Sequence, residues 1–277
     1  VDAGVSLYMP EYLPEGGHLA AKIVTVFPKN RAAGFPVIQG VVLVLDSDTG
    51  EVRALMDGSY LTALRTGAAS GLATDILALP DAAVLTVFGA GAQARTQVEA
   101  VRTVRPIEEI RIVDKSLESA EVFAGEIEGV HVTVMEDSRE AVEGAQVVIT
   151  ATDSLEPVFP GSALGPGTHV NAIGAFTPEM RELDGDLVSK AKVVVDYRDT
   201  VMVEAGDLTQ AIDEGVFDLT KIHAELGELV NKSRPGRENP EEVTLFKSVG
   251  NAVQDVAVAG AILEQAEGLE SGVLVDL

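Results

Sequence analysis

The stretch Val84-Leu-Thr-Val-Phe-Gly-Ala-Gly-Ala-Gln-Ala94 runs a short apolar strand straight into a Gly-x-Gly-x-x-Ala turn and the start of a helix. Each small residue has its own duty in a turn that grips a dinucleotide. Gly89 makes the tight bend, Gly91 leaves the backbone bare where a pyrophosphate approaches, and Ala94 lets the helix lie close on the strand. The exposed amides at the helix start then face the phosphates. Glu108 to Asp114 reads as a second strand that ends in an acid, about 20 residues past the glycines, where a carboxylate meets the adenosine ribose.

Outward from this turn the chain keeps one rhythm. Strands over 83–88, 108–113, 130–134, 146–151, 168–173 and 192–196 alternate with helices over 92–104, 117–128, 138–143 and 184–190. That alternation predicts an α/β fold built on a doubly wound parallel sheet of Rossmann type. The acidic segment 204–229 reads as helical, and Val249 to Gln265 as a long helix with one apolar face. Upstream, Leu19–Val26, Gly40–Asp46 and Glu51–Met56 read as strands, the last two joined by the turn Asp46-Ser-Asp-Thr-Gly50. Ser59 is the expected cap of a helix over 60–79.

Composition narrows the function. The 277 residues carry 44 acidic against 20 basic side chains, a formal charge of −24, which argues against binding a nucleic-acid backbone. So acidic a surface also fits a salty cytoplasm, where screening relieves self-repulsion. No cysteine is present, and His18, His131, His169 and His223 are too dispersed to form a ligand motif, so no metal site is expected. No apolar run approaches the roughly 20 residues of a membrane span and no signal pattern opens the chain. The expectation is a soluble, cytoplasmic protein.

Two cations stand out by position. Lys22 interrupts the apolar strand pattern from Leu19 to Phe27, and a buried ammonium is costly unless paired. Burial would lower its pKa and make it a usable proton donor. Arg65 lies on an otherwise small, uncharged helix face, where a guanidinium can form a planar bidentate pair with an α-carboxylate. Asp114 favours NAD(H), since it would repel a 2′-phosphate, although the adjacent Lys115 could pair with one and leaves NADP(H) open.

Five runs together resemble the ornithine cyclodeaminase and μ-crystallin family: Lys22-Ile-Val-Thr-Val-Phe-Pro28, Leu61-Thr-Ala-Leu-Arg-Thr-Gly-Ala-Ala69, Val87-Phe-Gly-Ala-Gly-Ala-Gln-Ala94, Glu182-Leu-Asp184 and Phe246-Lys-Ser-Val-Gly250. The resemblance implies a homodimeric nicotinamide enzyme acting on an amino or imino acid. It implies a smaller β-rich substrate and dimerisation domain, expected over 1–80 with about 255–277, beside a dinucleotide-binding domain over 81–254. It places Arg65, Ala92, Gln93, Thr152 and Ser248 against the cofactor, the last two towards the nicotinamide, and Lys22, Arg65, Phe176 and Val249 against the substrate. Members of the family also carry an upstream segment with an arginine for the substrate carboxylate, which this sequence does not include.

One departure decides among the family's reactions. Cyclodeaminases and alanine dehydrogenases of the family carry an aspartate where Gly174-Ala-Phe-Thr-Pro-Glu-Met180 has Phe176. Phenylalanine can wall an apolar pocket but can do no acid–base work. Reducing a preformed cyclic imine needs only a hydride, a proton and a carboxylate anchor. The expected activity is therefore ketimine reduction, of 1-pyrroline-2-carboxylate or a homologue, with Glu179 as a fallback acid. Ornithine cyclodeaminase, alanine dehydrogenase and a non-catalytic dinucleotide-binding protein stand as alternatives.

Overall fold

The computed structural model describes residues 4–275. The chain forms two compact units: residues up to Arg65 together with those from Asn251 onward, and Thr66–Gly250. The first unit is thus built from two segments far apart in sequence.

Its sheet is antiparallel in the order β1 (Val5–Leu13), β2 (His18–Val26), β3 (Ile38–Asp46), β4 (Val52–Asp57). Strand periodicity puts Ala20, Lys22 and Val24 on one face of β2, and all three are buried. Ala20, Val42 and Val44 of this sheet share a core with Leu61, Val256 and Ala259. Asp46 fixes the β3–β4 turn by accepting from the amides of Asp48 and Thr49. Strand β1 escapes the sequence pattern because nearly all of it is exposed and no alternation marks it.

Helix α1 (Gly58–Leu77) follows β4 directly. Its cap is Asp57, whose Oδ1 accepts from Ser59 N at 2.7 Å and Tyr60 N at 3.3 Å. The expected cap Ser59 therefore lies inside the helix. A Cβ on Gly58 would meet Gly40 C and Val41 N at 2.6 Å, so the helix can begin this close to β3 only with glycine there.

The second unit holds an eight-stranded parallel sheet. Its strands are β5 (Val84–Phe88), β6 (Glu109–Val113), β7 (His131–Val134), β8 (Val147–Thr150), β9 (His169–Ala172), β10 (Lys192–Val195), β11 (Ile222–Glu225) and β12 (Thr244–Lys247). They lie in the order β11-β10-β12-β9-β8-β5-β6-β7. Winding reverses at β5: β6 and β7 lie to one side, β8 to the other, and such a switch point is where doubly wound sheets receive ligands. The helices are α2 (Ala92–Val104), α3 (Leu117–Glu126), α4 (Ser138–Val142), α5 (Gly185–Lys190), α6 (Arg198–Glu204), α7 (Gly206–Asp213) and α8 (Leu226–Val230). Strands β8, β9 and β12 are buried at every residue, as in a sheet covered on both faces.

Two strands here were not expected. β11 breaks up the 204–229 segment that reads as helical, and β12 enters between β9 and β10. Four-residue strands carry too little pattern to separate from loop. The chain then returns to the first unit as α9 (Ala252–Gly268), which packs on β1, β2 and β3. Among the described residues no helix is long and apolar enough to cross a membrane.

Candidate active site

Within the parallel-sheet unit the glycine-rich turn leaves β5 at the switch point. Gly89 has φ +105°, and a Cβ there would strike Ala151 O at 2.5 Å. Gly91 is the N-cap of α2 and supplies no side-chain cap, while a Cβ on it would meet nothing within 4 Å. The two glycines thus serve different ends: Gly89 is required by the fold, and Gly91 keeps the approach to the helix clear. Ala92 and Gln93 form the first turn, and Gln93 Oε1 is buried without a protein partner. Bare backbone and uncapped amides fit a bound pyrophosphate, which accepts from N–H groups; the Gln93 carbonyl oxygen, itself an acceptor, adds nothing to that fit.

The turn is clipped from behind. Arg95 donates from Nη1 to Ala90 O at 2.7 Å and Gly91 O at 3.0 Å, and binds Glu126 through Nε and Nη2. Ala94 is fully buried, as close helix–strand packing needs. Asp114, just past β6, accepts from Ala90 N at 2.9 Å and Ser116 N at 2.8 Å. Ser116, not Asp114, caps α3. Lys115 pairs with Asp153 at 2.6 Å.

Thr152 follows β8, and Ser248 and Val249 follow β12. Each of these segments is held by a carboxylate that sequence reasoning did not single out. Thr152 Oγ1 donates to Glu182 at 2.8 Å. Ser248 Oγ donates to Asp196 Oδ2 at 2.8 Å, which also accepts from the amides of Val249 and Gly250. Phe176, in the loop after β9, is 42% exposed, and Glu179 in the same loop is exposed.

The antiparallel unit brings together the two cations the sequence marked. Lys22 Nζ donates to Asp255 Oδ2 at 2.5 Å, and Arg65 Nε donates to Oδ1 of the same carboxylate at 3.2 Å. Lys22, Arg65 and Asp255 are 3%, 7% and 2% exposed. Arg65 Nη1 also donates to Gln254 Oε1 at 2.8 Å. Burial pulls the Lys22 pKa below the ordinary lysine value; Asp255 opposes that shift and Arg65 adds to it. Asp255 was missed although a signal existed: it is a charged residue on the buried stripe of α9 beside Val256, Ala259 and Gly260. Phe176 and Val249, expected beside the substrate, stand in the parallel-sheet unit.

Residues 2–270 match the Ornithine cyclodeaminase/mu-crystallin family. A Delta(1)-pyrroline-2-carboxylate reductase of Bacillus cereus is 43% identical over 276 residues, covering 98% of this chain and 84% of that protein. The structure of Thermococcus litoralis Delta(1)-pyrroline-2-carboxylate reductase, in complex with NADH and L-proline, superposes with a TM-score of 0.95 at 43% identity over 99% of this chain and 85% of that one. An archaeal alanine dehydrogenase dimer with bound NAD gives a TM-score of 0.93 at 35% identity, covering 100% of this chain and 86% of that one.

Proposed function

Because the chain belongs to the ornithine cyclodeaminase/mu-crystallin family, we propose that it reduces the C=N bond of a small cyclic imino acid, 1-pyrroline-2-carboxylate or a homologue, to the L-amino acid, with NADH as donor. The observation that carries this reading is the sharing of one buried carboxylate, Asp255, by two buried cations, Lys22 and Arg65. Two positive charges on one negative charge leave a positive excess, and an anionic α-carboxylate neutralises it. The likeness to the reductase in complex with NADH and L-proline supports the same substrate class.

The chain's own residues divide the work. Arg65 offers its planar guanidinium to the carboxylate of the substrate. Lys22 holds a proton on Nζ that burial makes easier to release than an ordinary lysine's, and delivers it to the ring nitrogen. Asp255 fixes Nζ in place and keeps both cations tolerable in a dry setting. The nicotinamide, when bound, supplies the hydride to the imine carbon. Of the carboxylates in the loop bearing Phe176, Glu182 is buried and engaged by five donors and Glu179 is exposed, so neither stands as a free base in a buried setting. Hydride addition to a preformed C=N bond needs none.

Asp114 supports NADH over NADPH. Its two oxygens are aligned by the amides of Ala90 and Ser116, which fixes a negative charge where a 2′-phosphate would stand, and Lys115 is drawn to Asp153. A homodimer is the proposed assembly. The related alanine dehydrogenase is a dimer, and the antiparallel unit exposes Tyr8 at 71% and Leu55 at 70%.

The test is a panel. With NADH and 1-pyrroline-2-carboxylate, loss of NADH absorbance should accompany formation of L-proline, and NADPH should be the poorer donor. No turnover with any cyclic ketimine sinks the proposal. Ammonia release from ornithine, or NADH oxidation that needs pyruvate plus ammonia, would replace it with cyclodeamination or alanine dehydrogenation.

A further inference from the structure

Glu182 lies between β9 and α5, fully buried, and five donors converge on its carboxylate. Oε1 accepts from Thr152 N at 2.7 Å and Thr152 Oγ1 at 2.8 Å. Oε2 accepts from Thr150 Oγ1 at 2.9 Å, Gly174 N at 2.7 Å and Ala175 N at 3.1 Å. The side chain therefore ties the end of β8 to the end of β9. Glycine at 174 is obligatory for this, because a Cβ there would stand 2.4 Å from Glu182 Oε1 and 2.3 Å from Thr152 O.

Glu182 is itself anchored. Its amide and that of Leu183 donate to Asp207 Oδ1 at 2.7 and 2.9 Å, and Asp207 Oδ2 faces Lys247 Nζ at 2.8 Å with both side chains fully buried. Lys247 ends β12 immediately before Ser248. The chain of contacts Lys247, Asp207, Glu182 thus joins the ends of three neighbouring strands, β12, β9 and β8, from which Ser248, Phe176 and Thr152 follow. A buried ion pair and a buried carboxylate are expensive to desolvate, and hydrophobic residues would pack the same space at less cost.

We propose that ionised Glu182, anchored by Asp207 and Lys247, is a positioning residue that sets the loops carrying Thr152 and Phe176 for hydride transfer. The proposal rests on the reductase reading. All five partners donate, so the site is built for the anion; a proton on either oxygen faces donors only, unless a threonine hydroxyl turns. Burial and the neighbouring Asp207 push the Glu182 carboxyl above the usual range, against Lys247 and the Thr152 donors. The other ionisable group beside it in sequence, Arg181, is occupied by Glu214 at the end of α7. Protonation should then shut the hydride step as pH falls, giving kcat an acid limb.

Glu182→Gln tests this in the full-length protein. Gln cannot titrate and must turn an NH2 towards donors. We expect kcat to fall about 10- to 100-fold, a larger isotope effect with NADH deuterated at the transferred position, a dissociation constant for NADH within about twofold of wild type, and no acid limb. Thr150→Val removes a single donor, is nearly isosteric and keeps the test alive if the glutamine variant does not fold. Its acid limb should move to higher pH, because a carboxylate stripped of a donor protonates more readily. An unshifted acid limb in Thr150→Val, or a limb that persists in Glu182→Gln, overturns the proposal. Wild-type protein that reduces no cyclic imine instead overturns the reductase reading, since that result precedes any variant.

Discussion

In the proposed reaction the glycine-rich turn at 89–94 and the Lys22–Asp255–Arg65 cluster both receive negative charge, by opposite means. The turn uses backbone: uncapped amides and a bare glycine, all within a few residues, with no net charge to bury. The cluster uses three ionised side chains on β2, α1 and α9, with Lys22 and Asp255 separated by 233 positions. A site made of amides tolerates loss of any one contact. One made of buried charges fails as a unit, because each member exists to offset the others.

The sharpest way to break that contrast is Asp255→Ala, which strands two buried cations. It should cost about 3–5 kcal/mol of stability in urea denaturation and lower kcat/KM by about 100-fold or more; full stability with normal turnover would show that the charges are not coupled. The turn should instead separate fold from ligand. Gly89→Ala faces both a positive φ and a backbone clash, so a loss of at least about 2 kcal/mol is expected. Gly91→Ala should leave stability within about 1 kcal/mol and weaken NADH binding about tenfold, or 1.4 kcal/mol, measured by fluorescence titration.

Acid should next distinguish the parallel-sheet unit. His169 is buried there between Thr244 Oγ1 and Asn171 Oδ1, and burial depresses its pKa from 6.5 to about 3. The folded state holds it neutral while the unfolded chain takes up a proton below 6.5. Stability from this group is therefore complete above pH 6.5 and is lost towards pH 3, at about 1.4 kcal/mol per pH unit. Denaturation at pH 6.5 and 5.5 should show this contribution, and His169→Gln, which cannot titrate, should reduce the slope by that amount while leaving the part due to carboxylates raised by burial, such as Glu182. The smallest expected effect is on cofactor choice: Asp114→Asn removes the charge and keeps one of the two acceptor oxygens that serve Ala90 N and Ser116 N. It should raise the NADPH-to-NADH ratio of kcat/KM about tenfold; an unchanged ratio would mean that Asp114 only braces the turn.

What the sequence disclosed follows the same division. The turn, the strands from β5 to β10 and the acid at 114 were legible because their causes are local: small residues at fixed offsets and apolar runs bounded by breakers. Lys22 and Arg65 were legible as anomalies, charges set among apolar or small neighbours. Their partner was not, since pairing across 233 positions leaves no mark in either segment. Glu182 was visible only inside a matching run, and Asp196 not at all, because a carboxylate that accepts from loop amides looks like any polar loop residue until the loops are closed. β11 and β12 were missed for brevity, β1 for exposure.

The two-segment construction of the antiparallel unit carries a cost in time. During synthesis, β2 and its lysine emerge long before α9 brings Asp255. At about 5–20 residues per second, 233 residues amount to roughly 10–50 s. Throughout that interval the parallel-sheet unit is still being made, its interior strand β12 emerging only just before α9, while the sheet that precedes it waits with an apolar face uncovered and Lys22 unmatched. The nascent chain must be kept from its neighbours until its last helix arrives.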